Sequence, residues 1–139
     1  MHRPRILTAI VLAAMLAAAC GPGGGASPSP TAGAGRPSSP AVIAVVEPTQ
    51  GQVVTGDTVH VVVSLQNAKV VDTTSTHIVP TEGHVHLYLD NALVYMQYSL
   101  QQDLPVKPGT YTLRAEFVAA DHAPFDPRVF SPQVIFTVK

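Results

Sequence analysis

Apolar and polar side chains alternate with a period of two through most of the chain beyond residue 40. Val59, Val61, Val63 and Leu65 alternate with Thr58, His60, Val62, Ser64 and Gln66. Tyr111, Leu113, Ala115 and Phe117 alternate with Thr110, Thr112, Arg114 and Glu116. Val42, Ala44 and Val46 open the series, and Val134, Phe136 and Val138 close it. Successive side chains of a strand point to opposite faces, so the pattern predicts half-buried strands with one wet face each. Clusters such as Glu47-Pro48-Thr49-Gln50-Gly51 punctuate the series, and no window carries helical periodicity with caps. Short strands separated by turns predict an all-β fold, an antiparallel sandwich of about seven strands over residues 41–139.

Two local patterns refine the topology. In Leu104-Pro105-Val106-Lys107-Pro108-Gly109-Thr110-Tyr111, a tyrosine follows a turn, as it does before the sixth strand of an immunoglobulin-like sandwich. Its hydroxyl then bonds back to that turn. Asp90-Asn91 links two strand-like runs as a two-residue hairpin loop would. That register sets Leu89 opposite Ala92, Leu87 opposite Val94 and Val85 opposite Met96, with His86 facing Tyr95 and His84 facing Gln97. It makes Met96 a core residue; a slip of one residue would move it to the histidine face. With one Cys and no Trp, the chain has no Cys…Trp…Cys framework of antibody type.

The N-terminal part follows other rules. His2-Arg3-Pro4-Arg5 is basic, and Ile6 to Ala19 is apolar but shorter than the ~20 residues that span a bilayer. This reads as a secretory signal over residues 1–19. Leu16-Ala17-Ala18-Ala19-Cys20 resembles a bacterial lipoprotein lipobox, with Leu16 one place further out than usual. The resemblance implies lipidation of Cys20, palmitate included, and an extracytoplasmic domain anchored to the cell membrane. Residues 20–40, rich in Gly, Pro and Ser, lack large apolar side chains and predict a disordered tether. Loss of Arg3 and Arg5 lowers Lys plus Arg from 8 to 6 against 9 Asp plus Glu, a charge of about −3. No basic cluster remains, which argues against nucleic acid as partner.

Candidate chemistry concentrates in the histidines. His60 and His77 read as surface residues, whereas His84 and His86 lie two apart on one strand face, ~6.6–6.8 Å along it. If that strand and the one ending at Ala119-Ala120 are antiparallel neighbours, His122 joins them at one pole. Asp121 and Asp126 arrive on the same loop, and His77, Glu82 and Arg128 flank the pole as binding candidates. Two or three histidines with a carboxylate suit zinc or copper. Surface or turn-shaping roles for the same residues stay open, as does a protein or glycan partner.

Three stretches carry a resemblance: Gly83-His84-Val85-His86-Leu87-Tyr88-Leu89-Asp90, Pro108-Gly109-Thr110-Tyr111-Thr112-Leu113 and Asp121-His122-Ala123-Pro124-Phe125-Asp126-Pro127. Together they look like an uncharacterised family of bacterial secreted domains with Gly-x-His-His-Leu-x-x-Asp, Pro-Gly-x-His-x-Leu and Asp-x-x-His-x-Pro-x-x-Pro patterns. The likeness covers residues 80–139 and implies an exported sandwich. It departs in the separated histidines, in Tyr111 where His is common, and in the adjacency of Asp121 and His122. His84-Val85-His86 also looks like the copper-ligand strand of copper/zinc superoxide dismutases, which need more histidines and a disulfide than this chain offers.

The expectation is a non-enzymatic, lipid-anchored binding or structural module. The alternative is an envelope copper- or zinc-binding protein using His84, His86 and His122. No nucleophile–base spacing, phosphate loop or tight acidic pair supports an enzyme.

Overall fold

The computed structural model describes residues 35–139. The signal segment, Cys20 and the tether up to residue 34 lie outside the described residues. The chain forms β1 (Val42–Glu47), β2 (Val53–Val54), β3 (Thr58–Gln66), β4 (Lys69–Val70) and β5 (Glu82–Leu89). It continues through β6 (Ala92–Gln97), β7 (Gln101–Pro105), β8 (Gly109–Ala119), β9 (Pro124–Phe130) and β10 (Val134–Val138).

These strands build two sheets. One has the order β1-β3-β7 and the other β2-β10-β8-β5-β4, with β6 on β5 and β9 on β8. The long pairings are antiparallel; only the two-residue strands β2 and β4 pair in parallel. β9 and β10 both run along β8, one pairing with its second half and the other with its first. The fold is the all-β, immunoglobulin-like sandwich that the alternation predicts, with short strands added at the sheet margins.

Inward positions of both sheets meet in one core. Val59, Val61 and Val63 of β3 pack with Val85 and Leu87 of β5, Leu113, Ala115 and Phe117 of β8, and Phe136 and Val138 of β10. The tyrosine corner forms as expected: the Tyr111 hydroxyl donates to the Lys107 carbonyl at 2.9 Å. Gly83 has a steric reason to be glycine. A Cβ there would stand 1.9 Å from the Val118 carbonyl oxygen, so the close approach of β5 to β8 excludes any side chain.

Two phases differ from the expected pattern. In β1 the inward set is Ala41, Ile43 and Val45, leaving Val42 and Val46 exposed. The run Ala-Val-Ile-Ala-Val-Val is apolar throughout, so only pairing with β3, Ile43 opposite Leu65 and Val45 opposite Val63, decides its phase. The β5–β6 hairpin starts as expected, Leu89 opposite Ala92, but a bulge between Leu87 and Tyr88 shifts the rest. Leu87 faces Tyr95, His86 faces Met96 and Val85 faces Gln97. One extra residue on β6 is enough to reverse which face its side chains take. Tyr95 packs on the core instead of Met96, which is 56% exposed.

The bulged register predicts unequal costs for two truncations. Leu87→Ala, at a site 1% exposed, should lower unfolding free energy by ~2–5 kcal/mol. Met96→Ala should stay within about 0.5 kcal/mol of wild type. Urea denaturation measures both, and a large loss at Met96 would indicate the register without the bulge.

Candidate functional site: a histidine pole

The outward face of β5 and β8 is not wet where the histidines lie. His84 and His86 are buried there, and so are Glu116 and Val118 of β8. The pairing explains the grouping, since His84 stands opposite Val118 and His86 opposite Glu116. A lid of local structure covers them. After β8 the chain turns through Asp121 and His122, whose φ of 63° lies in the left-handed region. The His122 amide donates to the Ala119 carbonyl, and the Ala119 amide to that of Ala123. The turn carries the His122 ring back over β5.

Three imidazoles from two segments thus meet at one pole. Ring centroids of His84 and His122 are 4.1 Å apart, and those of His86 and His122 are 5.7 Å apart and nearly parallel. His86 Nε2 approaches His122 Nδ1 to 3.4 Å. Tyr98 lies edge-on to His84 at 4.7 Å. The segment before β5 closes the other side: the Ser75 amide donates to the Ala120 carbonyl, and Thr74 Oγ1 lies 3.4 Å from His122 Nε2.

The tautomer of His84 follows from its partner. Its Nε2 lies 3.2 Å from the Thr73 carbonyl, which can only accept, so Nε2 carries the hydrogen. Nδ1 then keeps a bare lone pair, buried and without a hydrogen-bond partner in the described structure. Leaving such an acceptor unpaired costs ~1–3 kcal/mol.

Charge around the rings is already matched. Arg36 donates through Nη1 and Nη2 to the Asp121 carboxylate at 2.6 and 3.0 Å, and also bonds the Pro124 and Ala123 carbonyls. That guanidinium holds the Asp121 carboxyl below its usual range. On the other flank, Glu116 is fully buried and takes two bonds from Arg128, at 2.7 and 2.8 Å, and one from the Tyr88 hydroxyl at 2.8 Å. Burial lowers the pKa of His84, reinforced by the neighbouring His122. Burial likewise lowers that of His86, with Glu116 opposing the shift. These two rings are neutral at neutral pH.

The candidates from the sequence therefore separate. His84, His86 and His122 come together, with Asp121 beside them but bound to Arg36. Arg128 serves Glu116. Glu82 pairs with Lys69 at 3.0 Å, while His77 and Asp126 are exposed, the Asp126 amide donating to the Pro37 carbonyl. Among the described residues, no group of three or more His, Cys, Asp or Glu side chains is arranged to hold a metal ion.

Arg36, Glu116 and Tyr98 are members of the pole or its supports that the sequence did not single out. Arg36 sits in the stretch expected to be tether, where nothing local announces a long-range ion pair. Glu116 carried a usable signal, a carboxylate inside the otherwise apolar run Ala115–Ala120. Comparison with protein-family profiles, with curated proteins and with solved structures finds no match to this chain.

The neutral histidines give stability a defined pH dependence. In the unfolded chain they titrate near 6.5; in the fold, more acid is required. Protons therefore favour unfolding: the stability of the neutral pole is complete above about pH 6.5 and is lost as pH falls through the lowered values. The groups facing the rings are His122, Glu116, Arg128 and Asp121. Urea midpoints should fall from pH 7.5 to 5, and fall less steeply in His86→Gln. A wild-type profile no steeper than the variant's would mean that His86 accepts protons freely in the fold.

Proposed function

We propose that this chain is a lipid-anchored, extracytoplasmic binding module without catalytic function, whose ligand site is the His84/His86/His122 pole. One observation carries the reading: three imidazoles, two of them buried, converge where the loops of the sandwich meet, and one keeps a buried lone pair unpaired. Loops at one pole of a sandwich are where such folds present binding groups. The lipobox resemblance at Leu16–Cys20 supports the anchor.

A second reading is favoured by a specific distance. Two nitrogens bound to one tetrahedral ion at ~2.0–2.1 Å stand ~3.3–3.4 Å apart, and His86 Nε2 and His122 Nδ1, hydrogen-bonded to each other, are 3.4 Å apart. An envelope protein that handles copper or zinc would use this pair.

Both parts are open to direct test. Cys20→Ala should move the protein from the membrane to the soluble fraction on cell fractionation; retention in the membrane would remove the lipid anchor. Calorimetric titration of the full chain with copper(II) and zinc(II), beside His86→Ala/His122→Ala, separates the two readings. One-to-one binding that the variant loses makes metal handling the function. Equal heats in both proteins leave a recognition module for a protein or glycan.

A further inference from the structure

The bulge in the β5–β6 hairpin places a sulfur donor at the histidine pole. Met96 is the cross-strand partner of His86. Directly paired residues have Cβ atoms ~4.5–5.5 Å apart on the same face, which leaves the His86 ring within reach of the flexible Met96 side chain. Without the bulge it would be core; with it, Met96 is exposed at the rim of a site whose floor is buried imidazole.

The charges around the pole define the ion that such donors suit. Both carboxylates nearest the rings are engaged by guanidinium groups, Asp121 by Arg36 and Glu116 by Arg128. The donors left are not carboxylates: His86 Nε2, His122 Nδ1 and the Met96 thioether, with the unpaired Nδ1 of His84 close by. A dication among neutral, partly buried donors keeps its full charge uncompensated, whereas a monovalent ion carries half of it. Thioether and imidazole are donors for soft ions, and thioether selects copper(I) over zinc(II).

We propose that His86, His122 and Met96 form a binding site for copper(I), with Met96 setting its preference for that ion over divalent metals. The inference rests on the metal reading of the histidine pole. A copper(I) ion enters from the solvent side at Met96 and replaces the hydrogen bond between the two ring nitrogens, the hydrogen of that bond moving to the other nitrogen of its own ring.

The test is anaerobic competition for copper(I) against a chromophoric chelator, together with zinc(II) titration. The full chain carries Cys20→Ser in every sample, so that no thiol competes. Met96→Leu should weaken copper(I) binding by roughly tenfold or more and leave any zinc(II) affinity within about twofold. His86→Ala/His122→Ala should abolish both. A second readout needs no change at the site: with methyl-labelled methionine, one equivalent of silver(I) should shift the Met96 methyl resonance. Undiminished copper(I) affinity in Met96→Leu, or an unmoved methyl signal, would overturn the role of Met96. If the double variant still loses metal, the histidine pole stands as the binding site. Wild type binding no better than the double variant would remove both.

Discussion

The antiparallel pairing of β5 with β8, from Gly83 opposite Ala119 to Leu89 opposite Leu113, is the constraint on which the rest of the structure depends. It brings two strands distant in sequence into the centre of one sheet and assigns each residue to a face. One face takes Val85, Leu87, Leu113, Ala115 and Phe117 into the core. The other takes His84, His86, Glu116 and Val118, and this face is covered rather than solvated. The absence of a side chain at Gly83 lets the strands close where the cover begins. Because β8 ends at Ala119, the partner of Gly83, the turn that follows lies over the start of β5. His122 reaches His84 for that reason.

Burying a polar face requires that each charge on it be answered. Glu116 would be costly alone; Arg128 from β9 and the Tyr88 hydroxyl satisfy its oxygens. Asp121 is met by Arg36 from before β1, which ties the segment leading into the domain to the β8–β9 turn. Both carboxylates are thereby spent on guanidinium groups. What remains at the pole are three imidazoles, those of His84 and His86 buried. The structural and chemical halves of the pole are thus one design: the ion pairs that stabilise the cover also decide the charge of the site.

Most of the architecture was legible before any coordinates. Alternation in residues 58–66 and 110–117 marked strands, and the Tyr111 pattern marked the corner that the Lys107 carbonyl completes. Antiparallel neighbours at His84 and Ala119 followed from the same topology, and with them the meeting of His84, His86 and His122. Legibility failed at β1, whose uniformly apolar run has no internal phase. It failed at Met96, because a bulge is a local backbone event that leaves no clear mark in the alternation of β6. It failed at Glu116 and Arg36, because their partners lie 12 and 85 residues away.

The division follows from the range of the forces involved. Period, turn chemistry and the tyrosine corner are properties of neighbouring residues, so the amino-acid sequence by itself determined strands, sandwich and the candidate histidines. Burial of the outer face, the tautomer of His84, the charge pairing of Asp121 and Glu116 and the side taken by Met96 each depend on groups that only the folded chain brings together. Tertiary structure decided those, because desolvation and hydrogen bonding act over a few ångströms of space, whatever the separation along the chain.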